Sequence, residues 1–308
     1  MLPPSLLRLF GDGYRVFFLG AALFGILALV LWLLWLQTGQ GLPFSPAHWH
    51  EHEMVFGYGA AALAGFFLTA VPNWTGAPAA RAGFIGGAAL IWVLGRVAVW
   101  GAGALPVPLV ATLDLAFLPI LGWKIAAQLV KRPKPQNLLF LVVLTLIWIA
   151  NLRVHLDWMD LPWGDAPAGI RAGLVSICAM IAILGGRVTP GFTRNAMRKV
   201  DEGLRGPRTP LPLTIVANAG AGLVAVTLLF NAPQELVGGV ATVTGVAQLM
   251  RLSLWRSAWT FGRPILWSMH LSYAFLGLGF LAYGLAQFGY GAEVAALHLL
   301  GIGAIGGM

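Results

Sequence analysis

Apolar residues fall into blocks of about 20, the length one bilayer-crossing helix requires, with short polar stretches between them. The blocks predict helical spans near 15–37, 47–71, 82–101, 105–130, 137–156, 168–186, 211–230, 234–250, 264–288 and 292–308. The eighth is the least apolar, because Gln234, Glu235 and Gln248 bracket a Gly- and Thr-rich stretch. The first, Val16 to Leu36, is too long for a signal-peptide core and has no cleavage site after it. The last stops at Gly306-Gly307-Met308 with no polar anchor. A helix ending in hydrocarbon leaves carbonyls unpaired, so a truncated last span with further C-terminal spans missing is expected. With no long linker, low-complexity tract or close repeat, residues 1–308 read as one domain: an all-α polytopic transmembrane bundle of about ten spans.

Composition excludes the soluble alternative. Only 10% of the residues are charged and 58% are hydrophobic, against about 25% charged in soluble domains. The chain also carries 40 Gly and 13 Trp, types that let helices approach closely and that gather at membrane interfaces. The formal charge of +8 would suggest nucleic acid in a soluble protein. Here it follows topology, and no nucleic-acid partner is expected. With a cytoplasmic N-terminus, the inner segments hold Arg8, Arg15, Arg81, Lys131, Arg132, Lys134, Arg187, Arg194, Arg198, Lys199, Arg205, Arg208, Arg251, Arg256 and Arg263. The outer loops hold Asp157, Asp160, Asp165, Glu235 and Glu293, the pattern of the positive-inside rule. The single cysteine, Cys178, excludes an internal disulfide, a Cys-x-x-Cys site and covalent haem attachment.

The densest chemistry is Ser45-Pro46-Ala47-His48-Trp49-His50-Glu51-His52-Glu53-Met54. Ser45 is a good N-cap and Pro46 suits the first helical position, so the second span starts here, at the outer face. His48 and His52 share a helix face, while His50 points about 200° round. Paired imidazoles suit a metal ion or a haem iron. His298 lies six residues into the last span, about 9 Å deep, and His52 lies at a similar depth, so these two are expected to hold one haem between helices. A haem iron has only two axial positions, which leaves His48 and His50 spare. With His155 at the outer end of the fifth span, Glu51 or Glu53 and the soft donor Met54, they make a candidate copper site. Arg96, Arg153 and Arg171 could pair haem propionates. Asp114 could relay protons or pair a cation.

Each reading has a plainer counterpart. The histidines could be solvated at the helix start, His298 could be a hydrogen-bonded packing residue, and His155 could be interfacial. The arginines could snorkel, or in the case of Arg153 pair with Asp157. His48-Trp49-His50-Glu51-His52 also fits the short inverted zincin pattern, but this helix continues into lipid. On the inner face, Asn73 and Trp74, then Arg187, Arg194 and Asn195, then His270 form a candidate quinol or anion site, with helix capping plus positive-inside charge as the alternative.

Several stretches resemble the NnrS family, haem- and copper-containing membrane proteins tied to bacterial nitric-oxide metabolism and nitrosative stress. They are His48–Tyr58 (HWHEHEMVFGY), Gly65–Gly76 (GFFLTAVPNWTG), Leu113–Pro119 (LDLAFLP), Gly185–Asn195 and Gly303–Met308, in family order over nearly the whole chain. The resemblance implies a multi-pass protein of the bacterial inner membrane carrying a b-type haem and copper. It implies nitric oxide bound, or reduced by an oxidoreductase, at a metal site near the periplasmic face, with lipid and a quinol or other electron donor as partners. The chain departs from the family in stopping about two spans short of a twelve-span fold, and in placing Leu299-Leu300 after His298. The competing classes are a transporter or channel using the intramembrane His and Asp residues as a substrate or proton path, and a cofactor-carrying assembly or sensing subunit.

Overall fold

The computed structural model describes residues 8–38 and 45–308. Among these, every regular element is helical. Nine helices are long and apolar enough to cross a membrane: α1 (Gly13–Thr38), α2 (Pro46–Thr75), α3 (Ala82–Trp100), α4 (Val107–Leu129), α5 (Pro135–Trp158), α6 (Ala166–Val200), α7 (Leu211–Leu229), α8 (Gln234–Ser253) and α9 (Pro264–Ala286). The tenth predicted span is represented by a shorter apolar helix, α10 (Glu293–Ile305).

Two local readings need correction. The sixth span does not end near 186: α6 runs on through Pro190 to Val200. A proline inside a helix removes one N–H and strands the carbonyl four residues earlier. Here that carbonyl, Gly186 O, accepts from Arg251 Nη2 at 3.4 Å. The same solution recurs in α4, which is interrupted at Ala116 ahead of Pro119. The stranded Leu115 carbonyl accepts from Trp148 Nε1 at 3.1 Å. The second correction is Arg251 itself. It is not a loop residue but lies buried within α8.

The chain divides into two compact units, residues 1–173 and 174–308. In the first, α1 is peripheral. Only 17% of its apolar window is buried, against 67% for α2, so α2 is the central helix and α1 shows its apolar side to lipid. In the second unit α8 and α9 lie in close contact over glycines. A Cβ on Gly245 would stand 2.8 Å from the Gly277 carbonyl oxygen, so the close approach depends on small residues there.

The start of α2 is built as the sequence indicates. Ser45 Oγ accepts from the His48 N–H at 3.2 Å, and Pro46 opens the helix. From Glu53 to Gly59 the helix loosens into π-helical turns. α10 does the same from Leu299 to Ile305. In both cases the π segment begins immediately after a histidine, His52 and His298. Such segments are uncommon and concentrate at functional sites.

Candidate metal centre

The first unit gathers six polar side chains from four helices: His52 and Glu53 from α2, Arg96 from α3, Asp114 from α4, and Asn151 and His155 from α5. All are buried, Arg96 the least so at 8% exposed. Neighbours on an ideal helix point about 100° apart. His52 and Glu53 are nevertheless both turned into the same interior, at the entry to the π segment.

The connections form one network. His52 Nδ1 lies 3.0 Å from Glu53 Oε1, which also accepts from Arg96 Nη1 at 2.7 Å. The other arm of the guanidinium pairs with Asp114 Oδ1. Asp114 Oδ2 lies 2.7 Å from His155 Nε2 and accepts from Asn151 Nδ2 at 2.9 Å. Asn151 turns its oxygen to His52 Nε2 at 3.0 Å, and Asp114 Oδ2 lies 3.3 Å from the same nitrogen. Trp158 packs 5.0 Å from both imidazoles, and Phe56 packs 5.1 Å from His52, so apolar rings close the cluster.

Two glycines make room for it. A Cβ on Gly57 would stand 2.9 Å from Arg96 Nη1 and 3.0 Å from Glu53 Oε2. One on Gly95 would stand 3.1 Å from the Asp114 Cα. These gaps let the guanidinium lie between α2 and α4 and bridge two carboxylates, a task suited to its fork of donors.

Donor and acceptor accounting exposes what the cluster lacks. In the tautomer that carries its proton on Nδ1, His52 donates to Glu53 Oε1. Nε2 then faces two oxygens, from Asn151 and Asp114, and a neutral imidazole has no second proton to give. A cation at Nε2 resolves this, either a second proton or a metal ion. His52 Nε2, Asp114 Oδ2 and His155 Nε2 converge: a ligand atom from each lies within 4.8 Å of the other two. Among the described residues, His155 Nδ1 has no hydrogen-bond partner. Two imidazoles and a carboxylate suit first-row transition metals. Glu53 on His52 Nδ1 stands where an outer partner would fix the tautomer of a ligating histidine.

The other expected residues fall elsewhere. His50 stacks on Trp32 at 4.4 Å, His48 is half-buried and Glu51 is exposed, all in the first turns of α2. Arg153 pairs with Asp165 at 3.3 Å and donates to the Trp163 carbonyl at 3.1 Å. Asn73 donates back to Thr69 O in its own helix, and Trp74 stacks on Phe140 at 5.2 Å. In the second unit Arg187 and Asn195 are exposed, and Arg194 donates to Pro207 O at 3.0 Å. His270 is buried between Thr193 and Ser257, 2.9 Å from each hydroxyl. His298 donates from Nδ1 to the Val294 carbonyl at 2.7 Å, which leaves Nε2 as its acceptor.

Sequence reading missed Asn151. The signal was present: it lies four residues before His155, on the same face of an otherwise apolar helix. A second buried network, in which Arg251 donates to Tyr273, Gln248 and Asn218, was missed because Arg251 sits at the edge of its apolar block.

These features define an all-helical polytopic membrane protein with a dry His/Asp cluster capable of holding a metal. The NnrS protein family model matches residues 8–308, and the chain belongs to that family. Neither the curated proteins nor the solved structures contain a match to it.

Proposed function

We propose that this chain is a bacterial inner-membrane metalloprotein that binds nitric oxide as part of the response to it. In this reading copper is held by His52, Asp114 and His155, toward the periplasmic side. The observation that carries the reading is the convergence of two buried imidazoles and a carboxylate on one point, with His52 Nε2 facing the oxygens of Asn151 and Asp114. Imidazole and carboxylate fit copper, and copper heads the divalent affinity order.

Haem is assigned to His298, whose Nδ1–H is spent on Val294 O and whose Nε2 is left for iron. His52 could hold the haem instead only by giving up its contact with Asn151. Either metal, when bound, would supply a position at which nitric oxide could ligate. The chain's own groups do the rest. Glu53 fixes the His52 ring, Asn151 orients both His52 and Asp114, Arg96 offsets the two carboxylates, and Trp158 and Phe56 exclude water.

A transporter would use the same cluster as a proton path. Metal analysis and an absorption spectrum of the purified protein, before and after nitric oxide, separate the two. Bound copper, a Soret band and a spectral shift with the gas are expected, and His155→Ala should lower copper at least tenfold. Wild-type protein that is colourless and metal-free would overturn the proposal.

A further inference from the structure

A cavity of about 510 Å³ lies beside the cluster, between α1 and α3. Its mouth is framed by Leu23, Val93 and Val97, which are 59%, 44% and 60% exposed on apolar, membrane-crossing helices. Whatever enters from this side comes from lipid. The walls are aromatic: Trp49 and Trp100 stand edge to face at 5.2 Å, and Trp92 stands edge to face with Phe24 at 5.5 Å.

The inner end is different. It is lined by Glu53 and Arg96, and among the described residues Glu53 Oε2 and Arg96 Nε are buried without hydrogen-bond partners. An acceptor and a donor thus stand at the end of an apolar, lipid-facing cavity. Unpaired groups of this kind are costly in a dry interior. A ligand oxygen that both donates and accepts would satisfy them.

Charge narrows the choice. One guanidinium faces two carboxylates, Glu53 and Asp114, so the inner end has no surplus positive charge for a fatty-acid carboxylate or a phosphate. Among the described residues no imidazole lines the cavity, so it offers a porphyrin no iron ligand. A neutral planar ring bearing a hydroxyl group fits, because a hydroxyl both donates and accepts and indole faces favour flat rings.

We propose that this cavity binds a membrane quinol. One ring hydroxyl would donate to Glu53 Oε2 and accept from Arg96 Nε, the ring would lie among Trp49, Trp92 and Trp100, and the tail would leave past Val93 and Val97. The assignment deepens the proposed function by naming a partner class for the adjacent centre, and it concerns binding alone.

The test uses the purified protein in phosphatidylcholine nanodiscs with a photoreactive azidoquinol, kept reduced under argon and located by mass spectrometry. Labels should fall on α1 near Leu23–Leu31 and on α3 near Trp92–Trp100, and excess decylubiquinol should suppress them. Val97→Trp fills the mouth from an exposed position and should reduce labelling at least tenfold, while Val97→Ala should retain it. His155→Ala should label like wild type, so loss of the metal reading leaves this result standing. The proposal is overturned by labels elsewhere, by equal labelling of Val97→Trp, by oleate suppressing as well as decylubiquinol, or by Val97→Trp displacing haem rather than the quinol probe.

Discussion

At the residue scale, the cluster is held by complementary defects. Arg96 alone would be a buried cation, and Glu53 and Asp114 would be buried anions, each costly in hydrocarbon. Together they bring two helices to a third. Removing one member leaves the others uncompensated, so Arg96→Met should destabilise the first unit by about 3–5 kcal/mol, measured as a fall in melting temperature in detergent. Arg96→Lys should not restore it, because one ammonium cannot reach Glu53 and Asp114 in the geometry of the fork. Recovery of wild-type stability by Lys would show that charge alone is at work. The ligand set gives a second test. His52, not His48 or His50, shares the interior with His155 and Asp114. The double change His48→Ala/His50→Ala should therefore keep the wild-type copper ratio, and its loss would move the metal to the helix start. The sequence marked His155, Asp114 and Arg96 as polar groups in apolar runs, but not their partners. Periodicity gives the face of one helix, not which face of another meets it.

At the scale of elements, the π segment of α2 is what the sequence did not reveal. Read as a regular helix, His48-Trp49-His50-Glu51-His52 pairs His48 with His52 on one face. The structure instead turns His52 and Glu53 inward together at the entry to the segment. No propensity or spacing signals a π turn, because its residues, Glu53-Met54-Val55-Phe56-Gly57-Tyr58-Gly59, read as ordinary apolar helix. Gly57 is the one visible clue, and its role appears only once Arg96 is placed against it. Gly57→Ala puts a methyl against the Phe24 ring, the guanidinium and the Glu53 carboxylate. Overpacking of this kind costs about 1–3 kcal/mol, and the change should also lower copper occupancy while leaving the helical content of the circular dichroism spectrum unaltered. Full occupancy with unchanged stability would mean that the contact is slack. The span pattern, by contrast, was legible helix by helix, because hydrocarbon thickness sets the length of each block. It was least so for α6, whose polar inner half, Arg187 to Lys199, continues the helix past the apolar run.

At the scale of the whole molecule, the distribution of charge predicts the side from which the proposed centre is reached. Arg251 is buried and must be struck from the topological count. The rest of the pattern survives the change in helix boundaries. Arg81 precedes α3, Lys131 to Lys134 join α4 and α5, Arg205 and Arg208 follow α6, and Arg256 and Arg263 join α8 and α9. The alternate segments hold Asp160 and Asp165 before α6, while Glu235 opens α8 and Glu293 opens α10. Lysine and arginine in short segments next to span ends are retained in the cytoplasm, whereas acidic residues carry little weight. The rule therefore predicts a cytoplasmic N-terminus, with the start of α2 and the end of α5, which carry His52 and His155, facing the periplasm. Alkaline phosphatase fused after Asp160 should be active and after Arg205 inactive, with green fluorescent protein fusions giving the reverse. Activity after Arg205 would invert the topology and place the His52–Asp114–His155 cluster near the cytoplasmic face, where copper would have to be supplied from inside the cell.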